Sequence, residues 1–581
     1  MSIDNKNILW GCITAEELYL AGIRLVCISP GSRSTPLVWG LVKLRDRQSD
    51  LQLIVHLDER NSAFFALGHA KRYKTPVALV CTSGTAPAHF FPAIIEANLS
   101  LVSLIILTAD RPASLRDCGA PQTSDQIKLY GDQVRYFYDV GLPDTSPQGI
   151  NSLRNSLRRS ISIARGDLGT PNGAVHLNFP FHEPLVDQPD LSYPFFRHTG
   201  QQLANLTATS LVIESTVIHD IANKIYQSPK GIIIVGIGDF AEELVPLLLE
   251  LSDRVGYPVL VEAIGLDRGK FISHYDSFLR CVKFCQAHIP QFIIRFGAMP
   301  TSKYLGQWLA QHIQAWEEVV IAQTFTNPLH GNSRVLYGDP VHFLQELTRA
   351  IAKQIYPLNP AWRRAFQQAE TKTAQVVQQF LKQVPFPFEG IIYQELADNL
   401  PNNSCLYVAN SMPTRDLDTF FHGKQRIKIL ANKGANGIDG TVSSGLGAAF
   451  NSPSPTVLIC GDIAFYHDIN TLLTAQIYQI NLTIILLNND GGSIFHYLPI
   501  SHYNPPFQEF FLTPHGLNFA QIIPAFGCAY QPIHDRQQLH QEISLIPHRT
   551  GTKVLEIRLD RCQSYALHHQ LWQKVVEVLQ S

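Results

Sequence analysis

The stretch TVLICGDIAFYHDINTLLTAQIYQINLTIILLNNDGG, residues 456–492, decides the fold of this chain. An apolar run at 456–460 predicts a buried strand, a helical pattern follows a Gly-Asp dipeptide, and 482–487 predicts a second buried strand. This order is typical of a βαβ unit, in which the two strands lie parallel in one sheet. We therefore expect Asp462 and Asn488-Asn489 at the same edge of that sheet.

Asp462, Asn489 and Gly491 are the candidate metal ligands at this edge. They offer a carboxylate, a side-chain carbonyl and a backbone carbonyl, which together form part of the octahedron of hard oxygen ligands that Mg²⁺ prefers. A diphosphate could complete the coordination sphere. The sequence therefore predicts a site for Mg²⁺, or for the similar ion Mn²⁺, that also binds a diphosphate.

This spacing resembles the fingerprint of thiamine diphosphate enzymes, in which Asp, Asn and a following backbone carbonyl hold the metal that binds the cofactor diphosphate. A Gly-Asp dipeptide alone is more often a structural turn, but its distance from Asn489 inside a βαβ unit favours the cofactor site. The usual Gly-Asp-Gly of that family is Gly461-Asp462-Ile463 here, so the third position differs.

Size, charge and cysteine usage indicate the class of protein. With 581 residues the chain should form about three domains, and its net charge of −2 with scattered basic residues argues against nucleic acid as a partner. The ten cysteines form no Cys-x-x-Cys motif, which indicates a reducing compartment. Without a signal peptide pattern or a run of about eighteen apolar residues, we expect a cytoplasmic protein with no membrane span.

Short apolar strands alternate with helical stretches in three parts of the chain, which predicts an α/β fold of three domains, each a mainly parallel sheet flanked by helices. The expected domains are 1–187, 205–355 and 385–581, with a linker at 188–196 and a helical connector near 360–400. The first and third domains repeat the same strand–helix pattern, which indicates two related sheets around a middle one.

The middle domain begins with GIIIVGIGDFAEEL, which places Gly236-x-Gly238-x-x-Ala241 between a strand and a helix. This resembles a dinucleotide fingerprint, with Glu262 as the only candidate acidic partner. We favour a structural turn. A flavin or nicotinamide enzyme that uses this turn stays open as an alternative at this point.

Glu59 is the candidate for activating the cofactor. It ends the predicted strand LIVHLDE, and an isolated Glu there would more often be a solvated side chain beside Arg60. Thiamine chemistry, however, requires a carboxyl group at the aminopyrimidine ring, and the segment HLDERNSAFFALGHAK resembles the activating-glutamate region of the family. In a largely apolar site we expect a raised pKa for Glu59, which suits proton sharing with a ring nitrogen.

A more specific resemblance covers nearly the whole chain. It rests on motifs that occur in this order: ISPGSRSTPL, HLDER, TSGTA, ADRP, RDCGAPQ, NSMPTRDLD, NKGANGIDG and NNDGGSIF. These motifs are similar to those of the 2-succinyl-5-enolpyruvyl-6-hydroxy-3-cyclohexene-1-carboxylate synthase family of menaquinone and phylloquinone biosynthesis. The resemblance implies a transferase that decarboxylates 2-oxoglutarate on thiamine diphosphate and adds the succinyl unit to isochorismate.

Both substrates are dicarboxylates, so the pocket should present several cations. The motif loops offer five: Arg33, Arg111, Lys303, Arg415 and Lys433. The resemblance further implies that Ser32, Arg33, Gln122, Ser411 and Arg415 surround the substrate, with Ser32, Arg33 and Gln122 joining Glu59 in catalysis. It also implies that Ile438 props the cofactor in its bent conformation, although Ile438 could equally serve core packing.

Two positions depart from the family pattern. Lys433 stands where the family commonly has Arg, and Tyr304 stands where it has a second basic residue after Lys303. Lys keeps the charge but lacks the two-pronged guanidinium, so we expect weaker or water-mediated carboxylate contacts there.

Other functions are also compatible with parts of this sequence. The alternative within thiamine enzymes is another 2-oxoacid decarboxylase or an acetohydroxyacid-synthase-like carboligase, against which the cationic loops argue. A catalytically dead nucleotide-binding or assembly subunit is disfavoured because Glu59, Asp462 and Asn489 are all present.

The resemblance implies a homodimer or homotetramer with its sites at the subunit interface.

Overall fold

The structure is a computed structural model that describes residues 6–186, 193–196, 208–209, 211–266, 268–352, 356–423 and 426–581. Three parallel β-sheets flanked by helices confirm the predicted α/β fold. The predicted boundaries at 187, 205 and 355, and residues 188–192 of the predicted linker, lie outside the described residues. The exact domain bounds therefore stay a prediction.

Seventeen strands form the three sheets in the described part of the chain. The first sheet contains β1 (Leu25–Ile28), β2 (Gln52–Val55), β3 (Val77–Cys81), β4 (Leu104–Asp110), β5 (Tyr136–Asp139) and β6 (Ala174–Pro180). The second contains β7 (Gly231–Val235), β8 (Val259–Val261), β9 (Phe292–Phe296), β10 (Glu317–Ala322) and β11 (Ser333–Tyr337). The third contains β12 (Cys405–Val408), β13 (Lys428–Ala431), β14 (Thr456–Gly461), β15 (Leu482–Asn488), β16 (Ala529–Pro532) and β17 (Thr552–Arg558).

The first and third sheets have the same topology. The strand order is β2-β1-β3-β4-β6-β5 in the first sheet and β13-β12-β14-β15-β17-β16 in the third, whereas the second sheet is ordered β11-β10-β9-β7-β8. All residues of the central strands β3 and β4 are buried, as expected for a parallel sheet covered on both faces, while the edge strand β5 is only half-buried. Sheets one and three are thus two versions of one fold, as the repeated pattern predicted.

Helices cover the sheets and connect them. In chain order they are α1 (Lys6–Leu20), α2 (Thr35–Arg45), α3 (Glu59–Tyr73), α4 (Ala86–His89), α5 (Phe91–Leu99), α6 (Pro147–Arg165), α7 (Ser215–Gln227), α8 (Leu244–Val255), α9 (Tyr275–Phe278), α10 (Val282–Ala287), α11 (Lys303–Gln311), α12 (Pro340–Ile351), α13 (Pro360–Gln383), α14 (Glu389–Asn399), α15 (Met412–Phe420), α16 (Thr441–Ala449), α17 (Asp462–His467), α18 (Leu472–Ile477), α19 (Phe519–Ala525), α20 (Arg536–Ser544) and α21 (Arg561–Gln580). The predicted connector corresponds to α13 and α14. Within the described ranges, no helix is long and apolar enough to cross a membrane.

The first and third domains share one hydrophobic core. Helix α3 packs against α16, and the core that they build contains Phe64 and Phe65 from the first domain together with Val442 and Leu446 from the third. This contact fixes the ends of the two related sheets relative to each other. The first and third domains are therefore packed against each other within one chain.

The glycine-rich turn of the middle domain is explained by a backbone contact. A Cβ atom on Gly236 would lie 1.7 Å from the carbonyl oxygen of Ala298, so only glycine fits where the two loops touch. The carboxylate of Glu262 is buried and accepts hydrogen bonds from the backbone and hydroxyl of Thr301. Both residues thus serve local structure, which agrees with the structural turn favoured from the sequence.

Candidate functional site

Asp462 lies where the βαβ unit places it, at the carboxyl end of β14 and as the first residue of α17. Strands β14 and β15 pair in parallel, which brings the loop after β15 to the same edge. Asp462 Oδ2 accepts hydrogen bonds from the amides of Asn489 at 3.1 Å and Gly491 at 3.0 Å. The structure therefore brings the three predicted metal ligands together.

The remaining atoms of this loop fit a divalent cation. Asn489 Nδ2 donates to Ser493 Oγ at 2.9 Å, whereas Asn489 Oδ1 is buried and has no hydrogen-bond partner in the part of the chain that the structure describes. A buried carbonyl oxygen without a partner is costly, and a metal ion would remove that cost. The backbone of Gly491 has φ 137°, and a Cβ there would lie 2.1 Å from the carbonyl oxygen of Leu512, so the position requires glycine.

The electrostatics of Asp462 also favour a cation. Burial raises the pKa of the Asp462 carboxyl above its ordinary value, although hydrogen bonds from backbone amides and the nearby His515 oppose this rise. His515 Nε2 lies 3.3 Å from Asp462 Oδ2, and His515 Nδ1 accepts a hydrogen bond from the amide of Leu517. A neutral His515 ring must therefore carry its proton on Nε2, the atom that faces the candidate metal ligand. His515 is not among the site residues predicted from the sequence.

Glu59 is the first residue of α3, and the side chain of Asp58 caps that helix by accepting from the amides of Arg60 and Asn61. Glu59 is half-buried, and within the described residues its carboxylate has no hydrogen-bond partner. Burial, and after it the charge of Glu59, raises the pKa of Cys81, so Glu59 lies near the carboxyl end of β3. An unpaired, partly buried carboxylate at a sheet edge can share a proton with a ligand.

Arg33 is held inside the first domain. Its guanidinium is 6% exposed and donates to the carbonyl oxygen of Phe181 and to Glu183 Oε1, each at 3.0 Å. The preceding Ser32 is exposed at the same edge of the sheet. Arg33 therefore has a fixed position, and the exposed carboxylate of Glu183 occupies part of its hydrogen-bonding capacity.

Arg111 and Gln122 form a second part of this edge. Arg111 donates to Ser83 Oγ and to the carbonyl oxygen of Gln122, and Gln122 Nε2 donates to the carbonyl oxygen of Ser83. Burial lowers the pKa of Arg111, and the positive charge of Arg33 lowers it further, so the two guanidiniums are close. The structure thus groups Arg33, Arg111 and Gln122 at one edge, as predicted.

Ser411, Arg415 and Lys433 form a corresponding group in the third domain. Ser411 has φ 76°, a strained conformation for a residue with a side chain, and its carbonyl oxygen accepts from Arg415 Nη1 at 2.6 Å. Burial lowers the pKa of Lys433, and the charge of Arg415 lowers it further. Ile438 is half-buried and packs against the shared core of the first and third domains.

Lys303 stands apart from these groups, exposed at the start of α11 in the middle domain. The ring of the following Tyr304 lies 3.9 Å from the guanidinium carbon of Arg280, which also stacks on Trp572 at 3.5 Å. The positive charge of Arg280 therefore lies next to Tyr304, the position where the family commonly has a second basic residue. Among the described residues, Lys303 makes no contact with the other predicted cations.

One cavity is distinct from the metal edge. It has a volume of about 1380 Å³ and lies between the three sheets. Lys433 and Gly434 line it from the third domain, Lys71 and Ser100 from the first, and Arg268 from the middle domain. Lys433 therefore connects the predicted site residues to this interdomain space.

Comparisons with known proteins assign each part of the chain to thiamine-dependent enzymes. Residues 11–129 match the N-terminal TPP-binding domain of thiamine pyrophosphate enzymes, residues 201–408 match their middle domain, and residues 413–557 match their C-terminal TPP-binding domain. The benzoylformate decarboxylase structure from Polynucleobacter necessarius has a TM-score of 0.68 and 16% identity, and the similarity covers 95% of this chain and 98% of that one. This structural likeness supports the fold.

Curated relatives are similar over almost the full length. Proteins named 2-succinyl-5-enolpyruvyl-6-hydroxy-3-cyclohexene-1-carboxylate synthase are 39% identical in Roseiflexus sp. (strain RS-1) and 37% identical in Geobacillus thermodenitrificans. These matches cover 96% of this chain and 96% and 95% of the two relatives. The relative of the same name from Chloroflexus aurantiacus is 37% identical over 98% of this chain and 96% of its own length.

Proposed function

This chain belongs to the 2-succinyl-5-enolpyruvyl-6-hydroxy-3-cyclohexene-1-carboxylate synthase family of thiamine diphosphate-dependent transferases, and we propose that it uses 2-oxoglutarate and isochorismate as substrates. In this reaction 2-oxoglutarate loses carbon dioxide and its four-carbon remainder is added to isochorismate. The products are the compound for which the relatives are named and carbon dioxide. The reaction would serve the synthesis of menaquinone or phylloquinone.

The Oδ1 atom of Asn489 beside Asp462, which is buried and without a partner among the described residues, is the observation that carries the cofactor part of this proposal. Together with the carbonyl oxygen of Gly491 these atoms form a set of hard oxygen donors, which suits Mg²⁺ or Mn²⁺ and a diphosphate. We therefore propose that Asp462, Asn489 and Gly491 hold the metal ion of the cofactor. Ser411 and Ile438 would contact the organic part of the cofactor.

Glu59 would hold a proton at a nitrogen of the aminopyrimidine ring. When bound, thiamine diphosphate supplies a nucleophilic carbon and accepts the electrons that decarboxylation releases. The chain must activate and position that group, and the half-buried carboxylate of Glu59 has no competing hydrogen bond among the described residues. Glu59 is therefore available for the ring, while Ser32, Arg33 and Gln122 would orient the reacting carboxylate at the same edge.

The charges of the site match two dicarboxylate substrates. Arg33 and Arg111 form one cationic group, and Arg415 and Lys433 form another. The cations of each group repel each other only in part, because Glu183 pairs with Arg33 and the negative charge of Glu262 lies near Lys433. A bound carboxylate would relieve the remaining repulsion as well as accept hydrogen bonds. Lys303 would contribute from the middle domain. A neutral acceptor, as in the alternative carboligases, would offer these cations no carboxylate to bind.

We propose that a second copy of this chain completes the site. Apolar side chains lie exposed on both sides of the edge that carries Glu59 and α17, including Leu57 at 71%, Tyr466 at 58% and Ile477 at 55% exposure. They flank the contact in which Arg60 donates to the carbonyl oxygen of His467. A homodimer, or a homotetramer built from two such dimers, would bury this surface and bring Glu59 of one copy to the metal edge of the other.

A donor-substrate panel tests the proposal. Purified protein with thiamine diphosphate, Mg²⁺ and isochorismate should release carbon dioxide from 2-oxoglutarate in preference to pyruvate and benzoylformate, because the cations recognise the second carboxylate. Equal or higher rates with pyruvate would favour the acetohydroxyacid-synthase-like alternative. Omitting Mg²⁺ after treatment with a chelator should abolish release from every donor.

A further inference from the structure

Lys71 and Glu96 form an ion pair inside the first domain. Lys71 lies near the end of α3 and Glu96 lies in α5, and Lys71 Nζ is 2.8 Å from Glu96 Oε1. Their side chains are 9% and 3% exposed. Charged groups are rarely buried without a partner, and here each side chain also has further partners in another domain.

These further partners flank Lys433 in the third domain. Lys71 Nζ donates to the carbonyl oxygen of Ala431 at 2.8 Å and approaches Asn432 Oδ1 at 3.2 Å. The two carboxylate oxygens of Glu96 accept from the amide of Gly434 at 3.0 Å and the amide of Ala435 at 2.7 Å. The ion pair of the first domain therefore holds the chain immediately before and immediately after Lys433.

We propose that Lys71 and Glu96 are positioning residues that set the conformation of the loop 431–435 and thereby aim the ammonium group of Lys433 at a substrate carboxylate. This inference rests on the proposed function, in which Lys433 binds a substrate. The Lys433 ammonium has no hydrogen-bond partner among the residues that the structure describes. The backbone on both sides therefore sets where the side chain of Lys433 starts, and with it the region that the ammonium group can reach.

Of the two residues, Glu96 should have the larger effect on the position of Lys433. Asn432 is also anchored within its own domain, because its carbonyl oxygen accepts from Asn410 Nδ2 at 2.6 Å and its Oδ1 accepts from Tyr407. The amides of Gly434 and Ala435 are held by Glu96. Loss of the Glu96 carboxylate should therefore release the segment after Lys433, while the segment before it stays anchored.

The charge state of Glu96 supports this role. Burial raises the pKa of Glu96, but the charge of Lys71 and several hydrogen bonds outweigh this effect and hold the pKa below its ordinary value. Glu96 is therefore a carboxylate at neutral pH. Hydrogen bonds from backbone amides to a carboxylate are stronger than those between neutral groups, which makes this a firm attachment for a loop.

The experiment combines hydrogen exchange with kinetics on Glu96→Gln and on Glu96→Asp, which keeps the charge but shortens the side chain. In both variants the amides of Gly434 and Ala435 should exchange at least about tenfold faster, because each loses a charge-assisted hydrogen bond. The KM for the substrate that Lys433 contacts, identified with Lys433→Ala, should rise about tenfold while the KM for the other stays within about twofold. Lys71→Gln should give a smaller change of the same kind.

A double-mutant cycle separates positioning from general destabilisation. If Glu96 acts through Lys433, adding Glu96→Gln to Lys433→Ala should change the KM by less than about twofold. The matched control is Arg295→Met with Glu318→Gln, which removes a buried ion pair of 2.7 Å in the middle domain. That control should lower thermal stability without changing the KM or the exchange at 434–435.

Two results would overturn the proposal. They are unchanged exchange of Gly434 and Ala435 in both Glu96 variants, or KM effects of Glu96→Gln and Lys433→Ala that multiply in the double variant. Failure of the proposed function would look different, because the unmodified protein would then not turn over 2-oxoglutarate and isochorismate. Hydrogen exchange would still decide whether Glu96 orders the loop, since it requires no substrate.

Discussion

The backbone amide of Asn489 donates a hydrogen bond of 3.1 Å to Oδ2 of Asp462. The Asp462 carboxylate thus fixes the loop that contains Asn489, and this carboxylate would also bind the metal ion. The Oδ1 atom of Asn489 has no hydrogen-bond partner among the described residues. Asp462 and Asn489 are 27 residues apart in the sequence, and they meet because β14 and β15 lie parallel. Asp462 is therefore both a candidate ligand and the group that orders the others.

Replacing Asp462 by Ala should weaken thiamine diphosphate binding about 10- to 100-fold at low Mg²⁺, because the site loses its charged ligand and its loop anchor. Calorimetric titration of the cofactor measures this. Asp490→Asn is the matched control, since Asp490 lies in the same loop, is 42% exposed and accepts from the amides of His515 and Gly516. Unchanged affinity in Asp462→Ala would refute the metal assignment.

Inactive variants should complement each other if the site lies between two copies of the chain. When Glu59→Gln and Asp462→Ala proteins are mixed and their subunits exchange at random, about a quarter of the activity should return, because half of the dimers are mixed and each has one intact site. Each variant alone should be inactive. No recovery, with exchange demonstrated by a labelled subunit, would indicate sites built within one chain.

The cations should divide between the substrates. Ala substitutions at Arg33, Arg111, Arg415 and Lys433 should each raise a KM by roughly 10- to 100-fold, since a charge-assisted contact is worth about 1.5–3 kcal/mol. For at least one of them the KM for isochorismate should rise, while decarboxylation of 2-oxoglutarate in a single turnover, followed by stopped-flow spectroscopy, stays near normal. Glu59→Gln should instead stop both steps. Isochorismate kinetics that are unchanged in all four variants would exclude a dicarboxylate acceptor.

His69 should make stability depend on pH. Burial lowers the pKa of His69 to about 4, and its Nδ1 lies 3.2 Å from the carbonyl oxygen of Gly447 across the contact between α3 and α16. Between pH 4 and 6.5 the folded state binds fewer protons than the unfolded state, so the free energy of unfolding falls as pH falls through this range. At pH 5 the loss due to His69 should be about 2 kcal/mol relative to pH 7.

Denaturant unfolding at pH 7 and pH 5 measures this effect. In His69→Gln, the free energy of unfolding should fall by about 2 kcal/mol less between pH 7 and pH 5 than in the unmodified protein, because glutamine does not titrate. His534→Gln provides the control, since His534 is exposed on the surface. An unchanged pH dependence in His69→Gln would show that other groups control acid unfolding.

The sequence was informative where local patterns determine structure. Apolar runs predicted β14 and β15, and the parallel arrangement of such strands predicted that Asp462 and Asn489 would meet. The family motifs likewise placed Arg33, Arg111 and Gln122 at one edge of the first sheet. Each of these predictions depends on a short segment and on the rule for where parallel strands end.

Contacts between distant segments could not be predicted in this way. The pairing of Arg33 with Glu183, the approach of His515 to Asp462 and the attachment of Glu96 to the amide of Gly434 each join residues from separate elements. Nothing in the local composition around these residues indicates the partner, because the packing of whole helices and domains determines it. The Pro-His-Gly at 514–516 was the only local signal near His515.

The most direct test of the central claim is the product formed from 2-oxoglutarate and isochorismate in the presence of thiamine diphosphate and Mg²⁺. Mass spectrometry of the product and measurement of released carbon dioxide should show one molecule of 2-succinyl-5-enolpyruvyl-6-hydroxy-3-cyclohexene-1-carboxylate per molecule of carbon dioxide. Carbon dioxide release that is independent of isochorismate, with no joined product, would contradict the account and indicate a simple 2-oxoacid decarboxylase.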